Sequence, residues 1–192
     1  MRYPIFELHG RQQRVEDMTI LVQGTPQANG PDMEQRISGI NLKGPQQCVR
    51  RVRLVRAEHC VHWLLMSLYR GAANNEIVDC EFYHAATGIR IMPGSHFTRI
   101  ANCRMRGHYS QSRSTDANSV HCDGNNLILE NCDFAGLNKT GGKILGRTFL
   151  SGSGYNTNLQ GNVMSKKLNR RIRCKRELHF RERKDTASGC LR

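Results

Sequence analysis

The residues best suited to chemistry are His121, Asp123 two positions later, and Arg90 one repeat earlier. An imidazole can take a proton near neutral pH, a carboxylate can orient it, and a guanidinium can hold an anion. In adjacent repeats the three could act as base, orienter and cation in proton abstraction beside a carboxylate. Asp116, in the loop before His121, adds a second carboxylate. Paired carboxylates cleave glycosides when they stand about 5–5.5 Å apart for retention or 6.5–9.5 Å for inversion. Asn41, His62, Trp63 and Lys143 are the side chains placed to hold a polyhydroxylated ligand. Each candidate also has an ordinary role. Arg90 suits a solvated strand face, His121 suits packing, and Asp116 and Asp123 border turns where aspartate serves turn geometry. The cluster His59-Cys60-Val61-His62 hints at a metal site. Neighbours on one strand face opposite ways, however, so these ligands cannot converge.

These residues are positioned by internal repeats. Ile77-Val78-Asp79-Cys80-Glu81-Phe82 is echoed by Ile100-Ala101-Asn102-Cys103-Arg104-Met105 and by Leu129-Glu130-Asn131-Cys132-Asp133-Phe134. The pattern is apolar-x-x-Cys-x-apolar, with Asp or Asn before the cysteine. Looser copies start at Val15, Val49 and Leu159. A second short strand recurs between copies, as in Gly39-Ile40-Asn41-Leu42 and Gly88-Ile89-Arg90-Ile91. Phe6–Leu8, Trp63–Met66, Ser119–Cys122 and Lys143–Gly146 fill the other slots. The alternation is period two, as strands require, and Asn, Gly and Ser fill the connections. Short strands without helical periodicity predict an all-β solenoid, a parallel β-helix of about six coils over residues 1–164. With Ile89 and Ile91 inward, alternation turns outward Glu7, Asn41, Arg90, His121 and Lys143, with Leu65 or His62 for the third coil. Asp123 extends that stripe.

The repeated Asp/Asn-Cys-x-apolar units, the Gly-Ile-x-Ile strands and the run Gly154–Asn162 resemble the right-handed, single-stranded parallel β-helix of the pectate-lyase-like superfamily. Phage tailspikes and polysaccharide lyases and hydrolases share that fold. The resemblance spans about residues 5–164. It implies a polysaccharide-binding or polysaccharide-degrading module acting on an acidic glycan along one sheet, with an extracellular or virion-associated location and a homotrimer. The alternative is a non-catalytic structural or adhesive stalk. Family lyases often use calcium held by three or four carboxylates. No such cluster stands out here, so no cofactor and no metal are expected.

Cys80, Cys103 and Cys132 occupy one position in three coils. Met18 and Val52 fill the same slot in others, so the thiols read as a buried packing ladder. The 192 residues hold 29 Lys and Arg against 16 Asp and Glu, a net charge of +13. Residues 165–192 hold 11 basic and 3 acidic groups, +8 of that total. The remaining +5 is spread over residues 1–164. A nucleic-acid partner would therefore depend almost entirely on this basic tail, which has no clean periodicity and is expected to be disordered or non-native. No apolar run approaches 18 residues, and Met1–Glu7 lacks the apolar stretch of a signal peptide. Coils without evident caps suggest a piece of a longer protein.

Overall fold

The computed structural model describes residues 5–22, 39–56, 64–83, 87–106, 118–133, 139–140, 143–144, 148–153, 156–162, 173–174 and 178–181. Among them are strands, turns and bends, and no helix. The strands are β1 (Phe6–Leu8), β2 (Arg14–Val22), β3 (Ile40–Leu42), β4 (Cys48–Arg56), β5 (Leu64–Leu68), β6 (Glu76–Val78), β7 (Glu81–Tyr83), β8 (Thr87–Ile91) and β9 (Arg99–Ala101). They continue with β10 (Arg104–Arg106), β11 (Asn118–Cys122), β12 (Ile128–Glu130), β13 (Lys139–Thr140), β14 (Lys143–Ile144), β15 (Thr148–Gly152), β16 (Thr157–Gln160), β17 (Arg173–Cys174) and β18 (Leu178–Arg181).

Two sheets contain all of these but the β13–β14 hairpin, and every pairing within them is parallel. The first runs β1-β3-β5-β8-β11-β15-β17. The second runs β10-β7-β4-β6-β9-β12-β16-β18, with β2 beside β4. Along the chain the path alternates between the two sheets, with β6 and β7, and again β9 and β10, falling consecutively in the second. The architecture is all-β with parallel sheets, and it is compatible with a β-helix.

The apolar-x-x-Cys-x-apolar pattern has a backbone cause. In β4, Val49 is buried, Arg50 is exposed, and Arg51 takes φ 50° before buried Val52 and Leu54. The left-handed residue bends the strand and resets the alternation, so two positions separate consecutive inward residues instead of one. Residues 48–50 then pair with β6 and residues 53–55 with β7. The same left-handed step falls at Asp17, Asp79, Asn102, Asn131 and Gly161. Asn, Asp and Gly tolerate that conformation best, which is why Asp or Asn precedes each ladder cysteine. Arg51 departs from the rule, and both its Nε and its Nη2 donate to the carboxylate of Asp17.

A second left-handed column, Gln12, Gln46, Asn74, Phe97, Asn126 and Asn156, precedes β2, β4, β6, β9, β12 and β16 of the second sheet. Its backbone amides donate to carbonyls of the next repeat, as from Gln46 to Ala73 at 2.7 Å and from Asn74 to His96 at 3.0 Å. Gly44 and Gly124 lie where a Cβ would strike the carbonyls of Gly10 and Ser95, so nothing larger fits.

The core lies between the sheets. Ile40, Leu42, Met66, Leu68, Ile89, Ile91 and Val120 face Val49, Ile77, Ile100, Leu129 and the Cys80–Cys103–Cys132 ladder across it, all buried. Each large apolar side chain contributes about 1.5–3 kcal/mol through burial. The ladder cysteines are free thiols. Cys103 Sγ donates to Ile77 O at 3.5 Å and Cys132 Sγ to Ile100 O at 3.6 Å. Burial, then the flanking thiols of Cys132 and Cys80, push the Cys103 thiol well above its ordinary pKa.

Three placements differ from the sequence expectation. The strand expected at Lys143–Gly146 lies at Thr148–Gly152, since β14 turns back on β13 in an antiparallel hairpin. The third strand of the first sheet is Leu64–Leu68 instead of Trp63–Met66. Pairing also continues past residue 164, with β17 joining β15 and β18 joining β16, Leu159 opposite Phe180.

Candidate functional site

On the first sheet, register defines one outward column. Glu7 stands opposite Asn41, Asn41 opposite Ser67, Ser67 opposite Arg90, Arg90 opposite His121, and His121 opposite Ser151. Each step is one strand spacing, about 4.8 Å. The inward partners on either side, such as Ile89 and Ile91 or Val120 and Cys122, are buried, which fixes the facing of Arg90 and His121.

His121 and Asp123 meet directly. The Nε2–Oδ2 distance is 2.8 Å, with side chains 29% and 18% exposed. Asp123 sits just past β11, where its amide donates to Ile91 O at 2.8 Å. Its other oxygen accepts from the Ser153 amide at 3.1 Å and the Ser153 hydroxyl at 3.0 Å. Burial raises the Asp123 pKa. The Ser153 amide and the neighbouring His121 more than offset that, and the carboxyl ends below its ordinary range. A carboxylate ionised at neutral pH only accepts, so Nε2 of His121 must carry the hydrogen of this contact. Asp123 thereby orients the ring.

Arg90 is half-buried, and its Nε is buried with no hydrogen-bond partner among the described residues. A buried, unmatched charged donor is costly, and an incoming acceptor would relieve that cost. At the other end of the column, Glu7 is held by Lys43 and, at 2.9 Å, by His9. Lys43, then His9, lowers its pKa.

The sequence-nominated residues divide clearly. Arg90, His121 and Asp123 come together. Asn41 lies in the same column but is only 4% exposed, and its neighbour Ser67 only 3%. Lys143 lies on β14, and the slot assigned to it opposite His121 belongs to Ser151. Asp116, His62 and Trp63 lie outside the described residues. Glu7 and Asp123 are four strand steps apart, about 19 Å, beyond the reach of paired-carboxylate hydrolysis. Ser67, Ser151 and Ser153 were not singled out by the sequence. Ser67 and Ser151 lie seven and five residues before the left-handed positions Asn74 and Asn156, and nothing in the spacing marks Ser153.

Among the described residues, no group of three or more His, Cys, Asp or Glu could hold a metal ion. No helix among them is long and apolar enough to cross a membrane. No family model, curated protein or solved structure matches the chain.

Proposed function

We propose that the chain is a right-handed, single-stranded parallel β-helix module of pectate-lyase-like type that binds or degrades an acidic polysaccharide. The observation that carries this reading is the buried Arg90 Nε, without a hydrogen-bond partner among the described residues, one strand from the His121–Asp123 pair. Arg90 would neutralise a uronate carboxylate, which acidifies the adjacent carbon-bound proton. His121, held by Asp123, would take that proton. The C–H electron pair then forms the carbon–carbon double bond as the neighbouring glycosidic C–O bond breaks, and the leaving oxygen is protonated. No carboxylate pair is needed, in keeping with the separation of Glu7 from Asp123. An extracellular or virion-associated homotrimer is the setting that this reading implies.

A specific observation favours the stalk as second reading. Asn41 and Ser67 are buried, so the middle of the column is closed to a long glycan. Incubation with pectate, alginate and glycosaminoglycans, followed through the ultraviolet absorbance of the new double bond, separates the two. Elimination that falls by about 10²–10⁴ in His121→Ala supports the lyase. No double bond, no new reducing ends and no binding with any glycan would leave the stalk.

A further inference from the structure

Ser153 grips Asp123 from the repeat that follows. The two are neighbours because β11 and β15 pair with His121 opposite Ser151, and Asp123 and Ser153 each lie two residues further on. The Ser153 amide and hydroxyl both donate to Oδ1 of Asp123, at 3.1 and 3.0 Å, while Oδ2 meets Nε2 of His121 at 2.8 Å. One carboxylate oxygen thus belongs to the next repeat and the other to the imidazole. A contact that served only to stack repeats would recur along the sheet. The positions preceding Asp123 in its column are His9, Lys43, Tyr69 and Met92, and none is a carboxylate. The arrangement occurs where His121 is.

We propose that Ser153 is the positioning residue of this site: by fixing the Asp123 carboxylate it makes Nε2 of His121 the protonated nitrogen and Nδ1 the one that takes the substrate's proton. The proton-accepting role rests on the function proposed above. The terminal torsion of an aspartate is broad and two-fold, so a carboxylate held at one point can swing. Two donors on Oδ1 oppose that rotation and keep Oδ2 toward the ring. An ionised carboxylate only accepts, so the ring presents its N–H there, and in the neutral ring Nδ1 carries the basic lone pair. Almost any residue at position 153 would supply the amide. The hydroxyl is what serine adds. Arg90 pairs with His121 from the strand on the other side, β8, so the anion-holding and base-orienting groups reach the ring from opposite directions.

The test reads the ring itself, in the whole chain with ¹⁵N-labelled histidine at about pH 8, above the ordinary histidine range. Long-range ¹H–¹⁵N spectra show which nitrogen is protonated, His121→Ala identifies the signal, and Asp123→Ala gives the released ring. The Nε2–H form should dominate in wild type. Ser153→Ala should raise the ratio of Nδ1–H to Nε2–H by about tenfold, the scale of one hydrogen bond to a charged group. Ser153→Thr, which keeps the hydroxyl, should restore the wild-type ratio. Elimination by Ser153→Ala should fall about tenfold in kcat with KM unchanged. A Ser153→Ala ring spectrum identical to wild type overturns the proposal. So does a change that Ser153→Thr fails to reverse, since packing and not the hydroxyl would then set the ring. Absence of elimination by wild type overturns the function proposed above and the role of Nδ1 in it, while the ring spectra still decide whether Ser153 sets the tautomer.

Discussion

At the scale of single residues, Asp123 is where charge and position are most tightly coupled. Its pKa is lowered in the folded chain, so its contribution is present above the ordinary carboxylate range, near pH 4, and is lost as pH falls through the lower folded value. Asp123→Asn should cost about 1 kcal/mol at neutral pH, discounted for its partial exposure. In urea melts the gap from wild type should close below about pH 4. A gap that stays constant with pH would mean that packing, not charge, holds the turn. Cys103 sits at the opposite extreme. Its thiol is fully buried and its pKa raised, so the thiolate is suppressed twice over. Iodoacetamide mapping should find Cys103 unmodified until the chain unfolds globally. Cys103→Ser should destabilise by about 1–3 kcal/mol, because the flanking thiols and carbonyls are spaced for sulfur. Rapid native labelling at Cys103 would show that the ladder opens locally.

At the scale of elements, the left-handed turns decide register. Asn102 has φ 53° and its amide reaches Asp79 at 3.0 Å. Asn102→Val forces a β-branched residue into that conformation and should cost about 1–3 kcal/mol, whereas Asn102→Gly should cost less. Equal losses in thermal melts would assign the asparagine's value to its side-chain bond instead of its backbone. These turns also explain what the sequence could show. The units around Cys80, Cys103 and Cys132 were legible because inward residues and left-handed asparagines recur at fixed spacing. The first sheet was less legible, because the connections leading into it vary in length. Glu7, Asn41, His121 and Ser151 each lie five residues before a left-handed position, at Gln12, Gln46, Asn126 and Asn156. Ser67 and Arg90 lie seven before Asn74 and Phe97. Counting back from those turns finds Ser67 and Ser151. The β13–β14 hairpin puts Lys143 off the first sheet, because it adds residues that no other repeat contains.

At the scale of the molecule, balance within the sheets contrasts with an open flank. On the second sheet's outward face Glu81 lies between Arg53 at 3.8 Å and Arg104 at 3.4 Å, and Arg53 stacks over Tyr83. Such ladders hold register and leave little unspent attraction. The nine-residue strand β2 is different, since among the described residues it pairs only with β4. Its other edge offers unpaired backbone groups beside exposed Leu21, with Phe6 and Ile5 exposed near the same end of the first sheet. A long edge with apolar side chains is a template for another strand. The chain as it stands should therefore associate with rising concentration, and Leu21→Lys should reduce that association by placing a charge where a second edge would have to dock. Sedimentation velocity across a concentration series measures this directly. If wild type and Leu21→Lys sediment alike, as a single species at every concentration, the β2 edge is protected in solution.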